Sequence, residues 1–243
     1  MNLIKQTALS LHLLTLMSSA FALDFNSLHL KVHPGIQLGG FTVSQGQQQH
    51  INISGLVGDE FTTTTTQTGN GLVGLNYFVE GRDFGIAHLS YGLNAFYLAN
   101  TAVAGDVLQE NFARNLAYSY EVQHFPVYAV AKSSVDLNHF NSSMVIDVGI
   151  GPNFMNTKGF TETPLNGYSV PDQSFSENTT TTFSVTAAIG LKSTHIFGQA
   201  PIECVYRFFY LGQGGFNKNN DQLLSTLNTG KAYANAVMCS VSL

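Results

Sequence analysis

The last eleven residues of the chain alternate between large and small side chains, and this alternation limits the fold more than any other stretch. Counting back from Leu243 in steps of two, five of six side chains are apolar or aromatic, and the residues between them are small apart from Met238. A period of two is that of a β-strand with one apolar face. A final strand of this kind is typical of the closing strand of a transmembrane β-barrel.

The first 22 residues have the pattern of a secretory signal peptide. Lys5 supplies a positive charge, a short apolar run follows, and small residues stand at Ala20 and Ala22. A short transmembrane helix is the alternative, but the apolar run is shorter than the roughly 20 residues that a span needs. We therefore expect cleavage after Ala22, export, and a single domain at residues 23–243.

The composition favours a barrel in the outer membrane over an ordinary globular fold. Charged residues make up only 10% of the chain, against about 25% in typical soluble domains. Glycine is frequent at 23 residues, and there are 10 tyrosines and 18 phenylalanines. A secreted β-sandwich is the alternative. The net charge of −5 gives no reason to expect a nucleic-acid partner.

Eight segments with a period of two predict eight antiparallel strands. Connections after odd-numbered strands are long and those after even-numbered strands are shorter, the asymmetry of a barrel with long outer loops and short periplasmic turns. Two polar stretches, 44–70 and 156–181, are predicted to be exposed loops, and a bulge is predicted at Gly39-Gly40, where the apolar face changes. The sequence therefore predicts an all-β, eight-stranded, up-and-down transmembrane β-barrel. The predicted strands cover residues 28–43, 71–80, 84–98, 116–135, 144–153, 182–192, 202–211 and 233–243.

The face opposite the apolar one carries small side chains and a few isolated charges. Small side chains suit the crowded interior of an eight-stranded barrel. Buried charges must be paired, so we expect a structural network of ion pairs that plugs the lumen. A catalytic carboxylate pair or a conduction path is the alternative. Glu121 is included on the expectation that strand 116–135 keeps its phase above Pro126. The predicted network comprises Glu80, Glu121, Lys132, Asp147, Lys192, Glu203 and Arg207.

Several aromatic residues lie on the apolar face of the predicted strands, which would face outward in a barrel. In a membrane barrel such residues form girdles at the two interfaces, whereas in a soluble fold they would pack in a core. The predicted girdle residues are Tyr77, Tyr91, Tyr97, Phe183, Tyr206, Phe208, Tyr210 and Tyr233.

Cys204 and Cys239 are the only cysteines. Alternation along the last two predicted strands places both of them on the outward, apolar face. If these strands form a symmetric hairpin, the two residues lie directly opposite, within reach of a disulfide. An oxidising exported compartment permits the bond. Two free thiols acting as small apolar residues on the lipid face are the alternative. We expect no metal site, because no His or Cys has a matching spacing.

Catalytic signatures are absent from the sequence: it contains no P-loop, G-x-S-x-G, H-E-x-x-H or C-x-x-C motif. His88 and Ser90 share a strand face and, with an acid such as Glu80, could serve a lipid-modifying hydrolase. Such residues are more often polar neighbours in a lumen. We therefore expect no enzyme activity and no cofactor. A narrow channel for small solutes is the other alternative.

Three stretches of the chain resemble a known family: residues 126–154 (PVYAVAK, then VIDVGIGPNF), residues 206–212 (YRFFYLG) and the final strand. The resemblance is to the small eight-stranded outer-membrane β-barrels of Gram-negative bacteria, grouped as opacity-type surface antigens or porin-family proteins. Family members usually end in an aromatic residue that the assembly machinery reads, whereas this chain ends in Leu243.

The resemblance implies a location in the cell outer membrane, reached through the periplasm. It also implies contact with outer-membrane lipid and with the barrel-assembly machinery through the C-terminal strand. A non-enzymatic role as a surface antigen, adhesin or envelope component follows from it, with any extracellular ligand bound by the loops.

Overall fold

A computed structural model gives the structure of residues 31–137, 142–197 and 200–242, with the side chains of residues 194–197 excepted. The predicted signal peptide lies outside these residues. Within them no helix is long and apolar enough to cross a membrane. The strands of this described part are β1 (Val32–Ser44), β2 (Gln49–Ile51), β3 (Asp59–Thr65), β4 (Gln67–Phe84), β5 (Ala87–Gln109), β6 (Ala113–Leu137), β7 (Ser142–Pro164), β8 (Phe175–Ser176), β9 (Asn178–Phe197), β10 (Ala200–Gly212), β11 (Asn217–Lys218) and β12 (Ala232–Ser242).

Eight of these strands form a closed ring in the order β1, β12, β10, β9, β7, β6, β5 and β4, after which β4 pairs with β1. Every pairing in the ring is antiparallel. The first and last strands close it, with Ile36 opposite Val241 and Val43 opposite Ala234. Closure pairs the strand edges that an open sheet would leave free. The predicted eight-stranded antiparallel barrel is confirmed.

The two ends of the barrel differ. At one end, which we call the short-turn end, β4 ends at Phe84 and β5 begins at Ala87. At the other, the loop end, the connections span residues 45–66, 165–177 and 213–231. The connection between β5 and β6 at the loop end is tight, with positive φ angles at Glu110 and Asn111. Three of the four connections at the loop end are therefore long, as predicted, whereas the connection between β5 and β6 is short and departs from the prediction.

The prediction that residues 44–70 and 156–181 are loops is wrong over much of their length, because a large part of each stretch is strand. Residues 44–70 contain β2, β3 and the start of β4, and β3 continues the pairing with β5, with Glu60 opposite Leu108. Residues 156–181 contain the end of β7 and the start of β9. Threonine is β-branched and favours strands. Here polar residues occur on both faces of the strands, so the sequence shows no alternation between apolar and polar residues by which a strand could be recognised.

The predicted bulge at Gly39-Gly40 is also wrong. Gly39 lies opposite Met238 and Gly40 opposite Val237, in an unbroken register. Phe41 and Val43 are buried inside the barrel, although the apolar residues before them face outward. The apolar residues change face because the interior becomes apolar towards the loop end, while the strand itself stays regular.

Large apolar side chains form an exposed band around the barrel, which we call the belt. On β7 the outward-facing residues run from Ile146 and Ile150, 43% and 60% exposed, through Phe154 to the charged Lys158. Aromatic residues thus lie where the belt meets polar surface, as in barrels that span membranes. The belt comprises Ile36, Leu38, Val73, Leu75, Leu93, Ile146, Val148, Ile150, Ile189, Leu191, Val237 and Val241, all at least 41% exposed.

The interior is filled along its length. Bulky residues including Phe96, Tyr128 and Phe209 are fully buried in the middle of the barrel. Towards the loop end an aromatic cluster continues the core, with edge-on contacts such as Phe61 to Tyr118 at 5.2 Å between ring centroids. The other rings of this outer cluster are Tyr120, Phe160, Phe175 and Phe216.

Candidate functional site

The middle of the lumen is crossed by a buried ion pair between Asp147 on β7 and Arg207 on β10, whose side chains are 1% and 2% exposed. The guanidinium donates from Nη1 to Oδ1 at 2.8 Å and from Nη2 to Oδ2 at 2.6 Å. Nη1 also donates to Thr186 Oγ1 at 3.2 Å, and Cζ lies 5.3 Å from the Phe96 ring centroid. These groups come from four strands. The bidentate pair itself joins β7 to β10 across β9, where Ala188 lies opposite both residues.

A second ion pair joins Lys132 on β6 to Glu203 on β10, with side chains 14% and 12% exposed. The ammonium also lies 4.7 Å from the ring centroid of Phe78, within range of a cation–π interaction. Lys192 on β9 is opposite Glu203 in the sheet register, which places a further positive charge at this level. The structure therefore brings Lys132, Asp147, Glu203 and Arg207 together as two pairs inside the barrel.

Two predicted network residues lie elsewhere. Glu80 is exposed at the short-turn end, where its Oε1 is 2.9 Å from His33 Nε2. Glu121 faces outward above the belt and accepts a hydrogen bond from Asn100 Nδ2 at 2.9 Å. The placement of Glu121 in the lumen is wrong. Alternation continues unbroken through Pro126, and Glu121 lies eleven positions before the inward-facing Lys132, so it occupies the opposite face.

Cys204 and Cys239 form a disulfide, with their Cα atoms 4.0 Å apart. They are directly opposite in the register between β10 and β12. Both are exposed on the outer face, within the belt. The hairpin symmetry on which the sequence prediction depends is present in the structure.

A polar layer lies beyond the ion pairs, towards the loop end, and was not predicted. Asn153 Nδ2 donates to His124 Nδ1 at 3.1 Å and to the carbonyl of Leu211 at 2.8 Å. His124 therefore carries its proton on Nε2, which is 3.4 Å from Gln45 Oε1. Gln45 Nε2 in turn donates to Thr101 Oγ1 at 2.9 Å. The sequence contained one signal of this layer. His124 lies eight positions before the inward-facing Lys132, so alternation along β6 also places His124 inside the barrel.

A cavity of about 330 Å³ opens at the tip of the loop end. We call it the outer pocket. Four carboxylate residues line it, and its lining includes no Lys, Arg or His. Apolar side chains such as Leu56 and Leu223 share the lining with them. The four acidic residues are Asp59, Glu110, Glu162 and Asp172.

Glu162 is the most enclosed of the four acidic residues, at 4% exposure. Its Oε2 accepts the backbone N–H groups of Asp172 and Gln173 at 3.1 and 2.8 Å. Burial raises the pKa of Glu162, and the negative charges of Asp172 and Asp59 add to the effect. Burial likewise raises the pKa of Asp59. A positive charge in the pocket would stabilise the ionised forms of both carboxyl groups.

His88 lies at the short-turn end between two carboxylates. Its Nδ1 is 2.7 Å from Asp83 Oδ1 and its Nε2 is 3.2 Å from Asp136 Oδ2. These hydrogen bonds, that to Asp83 first, raise the pKa of His88. Ser90 lies opposite Lys132 and Glu80 in the register. Within the described residues no group of three or more His, Cys, Asp or Glu side chains could hold a metal ion.

Comparisons with known proteins find similar solved structures but no similar sequence. No family model matches the sequence, and no curated protein matches it. Among solved structures, the outer membrane protein OprG from Pseudomonas aeruginosa is 14% identical with a TM-score of 0.49, covering 88% of this chain and 97% of its own. The outer membrane protease OmpT from Escherichia coli is 9% identical with a TM-score of 0.47, covering 87% and 96%.

Neisserial surface protein A is 8% identical with a TM-score of 0.41, covering 86% of this chain and 97% of its own. All three are described as outer-membrane or surface proteins. Their TM-scores lie below 0.5, so the class of the protein follows from its own strand pairing. It is an eight-stranded antiparallel β-barrel with an apolar belt and a filled lumen.

Proposed function

We propose that the protein is a non-enzymatic surface protein of the bacterial outer membrane. Its closed lumen supports the barrel, and its loop end binds an extracellular partner. The observation that carries the proposal is the ion pair of Asp147 and Arg207, which closes the barrel beneath an outer pocket open to the outside. A filled lumen removes solute passage as the main role and leaves the loop end as the surface available for recognition.

The belt sets the orientation in this proposal. Its aliphatic surface faces lipid, the short-turn end faces the periplasm, and the loop end faces the medium. The strand β12 would contact the barrel-assembly machinery before it pairs with β1. His88, between Asp83 and Asp136, then holds the short turns together at the periplasmic rim and does not act on lipid.

The chemistry of the loop end points to a cationic partner with apolar side chains. The outer pocket concentrates four carboxylates around a partly apolar wall. Exposed apolar residues stand on neighbouring loops at the same end, with Leu56 58%, Val57 62% and Phe112 93% exposed. A basic segment of an extracellular protein would pair its charges with the carboxylates and cover these side chains.

Binding of defined cationic peptides tests the proposal. The probes are a lysine- and leucine-containing peptide and its glutamate-for-lysine counterpart, titrated against the folded barrel in lipid nanodiscs. We expect only the cationic peptide to bind, and binding to weaken as salt is raised. Glu162→Gln should weaken it about tenfold, since charge-assisted hydrogen bonds contribute about 1.5–3 kcal/mol.

Glu177→Gln is the matched control, because Glu177 is an exposed acid at the same end that does not line the pocket. It should leave the affinity unchanged. Equal binding of both peptides, or equal effects of the two substitutions, would contradict recognition in the outer pocket. Gel migration with and without boiling tests the barrel itself, since a folded outer-membrane barrel resists detergent and migrates differently unheated.

A further inference from the structure

The disulfide lies on the outer face of the barrel, where lipid would keep aqueous reagents from it in the proposed membrane location. Cys239 lies opposite Leu38 on β1, and Cys204 lies opposite Leu191 on β9. These leucines are 62% and 57% exposed on the outer face. Val237, two residues before Cys239 on the same face, is 66% exposed. The sulfur atoms are thus surrounded by the aliphatic part of the belt, in the region that faces hydrocarbon under the proposed function.

Disulfide formation needs conditions that this region excludes. The attacking species is a thiolate, and its reaction partner must approach the sulfur directly. A thiolate in hydrocarbon is strongly disfavoured, so a thiol there stays protonated and unreactive. A soluble oxidase cannot enter the bilayer. We infer that the bond between Cys204 and Cys239 is made in the periplasm, before the strands enter the membrane, by a thiol oxidase that carries a protein disulfide.

The redox balance of this step is complete without a metal or cofactor on the chain. The thiolate of one cysteine attacks the disulfide of the oxidase and forms a mixed disulfide, releasing one oxidase thiolate. The thiolate of the second cysteine attacks the chain's sulfur in that mixed disulfide and releases the second oxidase thiolate. The chain loses two electrons and two protons, and the oxidase disulfide is reduced to a dithiol.

Oxidation at that stage has a structural consequence for assembly. The bond joins residues 35 positions apart, and it brings β10 and β12 into the register in which they are found in the barrel. The strand β12 would therefore already be linked to β10 when it pairs with β1. The oxidase is a partner that recognises the unassembled chain, and the inference rests on the proposed membrane location.

The first measurement is the thiol state of the chain before insertion. The full chain is expressed in a Gram-negative host whose barrel-assembly machinery is depleted, and free thiols are labelled with a maleimide-polymer in denaturant. We expect the unassembled periplasmic chain to have lost its reactive thiols, and to regain two when the host lacks its periplasmic thiol oxidase. A reduced unassembled chain, with the bond present only in folded protein, would overturn the inference.

An engineered pair of cysteines on the outer face above the belt, outside the proposed membrane, is the control for shielding of the native pair by lipid. Ser119 and Thr161 are directly opposite on β6 and β7, exposed above the belt, with their hydroxyl oxygens 3.0 Å apart. Ser119→Cys and Thr161→Cys are introduced together with Cys204→Ser and Cys239→Ser. In folded barrels made without the oxidase, a water-soluble oxidant should close this control pair and leave the native pair reduced. Oxidation of both pairs would show that the native site is accessible after insertion.

The same samples separate this inference from the proposed function. A difference in gel migration between boiled and unboiled protein reports a membrane-embedded barrel, whatever its thiol state. Protein that shows no difference and is soluble in the periplasm would refute the membrane location. Protein that shows the difference, yet acquires its disulfide only after insertion, would refute the order of steps alone.

Discussion

Removing Arg207 should destabilise the barrel more than any other single change in the lumen. Arg207→Met leaves the Asp147 carboxylate 1% exposed with neither of its guanidinium hydrogen bonds. Removing one partner of a buried ion pair lowers the free energy of unfolding by about 3–5 kcal/mol, because an uncompensated charge remains in a low-dielectric site. At 1.4 kcal/mol per tenfold change, the unfolding equilibrium constant would rise by roughly two to three and a half orders of magnitude.

Equilibrium unfolding in urea, with the barrel in phospholipid vesicles, measures this cost. The chain has no tryptophan, so far-ultraviolet circular dichroism and gel migration follow the transition. Asp147→Asn and the double variant complete a thermodynamic cycle. The double variant should lose less stability than Arg207→Met alone, because it leaves no buried charge.

Lys132→Met is the comparison variant for the second pair. Its side chains are 14% and 12% exposed, so water solvates the remaining Glu203 in part, and the cost should be about 1–3 kcal/mol. A cost below about 1 kcal/mol for Arg207→Met, or additive effects of the two single changes at Asp147 and Arg207, would refute the burial of the pair on which the calculation depends.

Three further predictions concern other parts of the barrel. Gly39→Ala should cost about 1–3 kcal/mol, because a Cβ atom there would lie 2.3 Å from a backbone oxygen of the neighbouring strand. Gly40→Ala, whose nearest atom is 3.9 Å away, should be close to neutral in the same urea assay; equal costs would contradict this reasoning. The pKa of His88 should exceed about 6.5, since Asp83 and Asp136 stabilise the imidazolium. Its contribution to stability is then present below the unfolded pKa and lost as pH rises through the folded pKa; an NMR titration at or below 6.5 would contradict the hydrogen-bonded geometry. Purified folded barrel should be silent in planar bilayers, and steady conductance would contradict a filled lumen.

The barrel was predictable because lipid and lumen impose opposite demands on alternate residues. On β9 and β12 large apolar side chains face out and mostly small ones face in, so a period of two is visible in the sequence. The same reasoning placed Asp147 and Arg207 inside. It did not say that they meet each other, because it did not fix the register in which β7 and β10 pair with β9. That register brings both residues opposite Ala188.

The loop end was harder to predict for a physical reason. Residues such as Thr62 and Thr64 lie in a strand above the belt, where the outer face is polar and not apolar. The outer pocket combines four acidic residues from segments far apart in the chain, with Asp59 and Asp172 more than a hundred positions apart. No local spacing signals such a site, since it exists only when several hairpins converge.

The continuation of the strands beyond the belt determines how far the loop end stands from the membrane. Twelve residue steps separate Tyr97, at the edge of the belt, from the end of β5 at Gln109. At about 3.4 Å per residue this is about 40 Å along the strand, or roughly 30 Å in height for a tilt near 40°. That height is about the thickness of the hydrocarbon core itself. In the proposed membrane orientation the tip therefore stands well above the lipid surface, so a bulky partner can dock on it without contacting the bilayer.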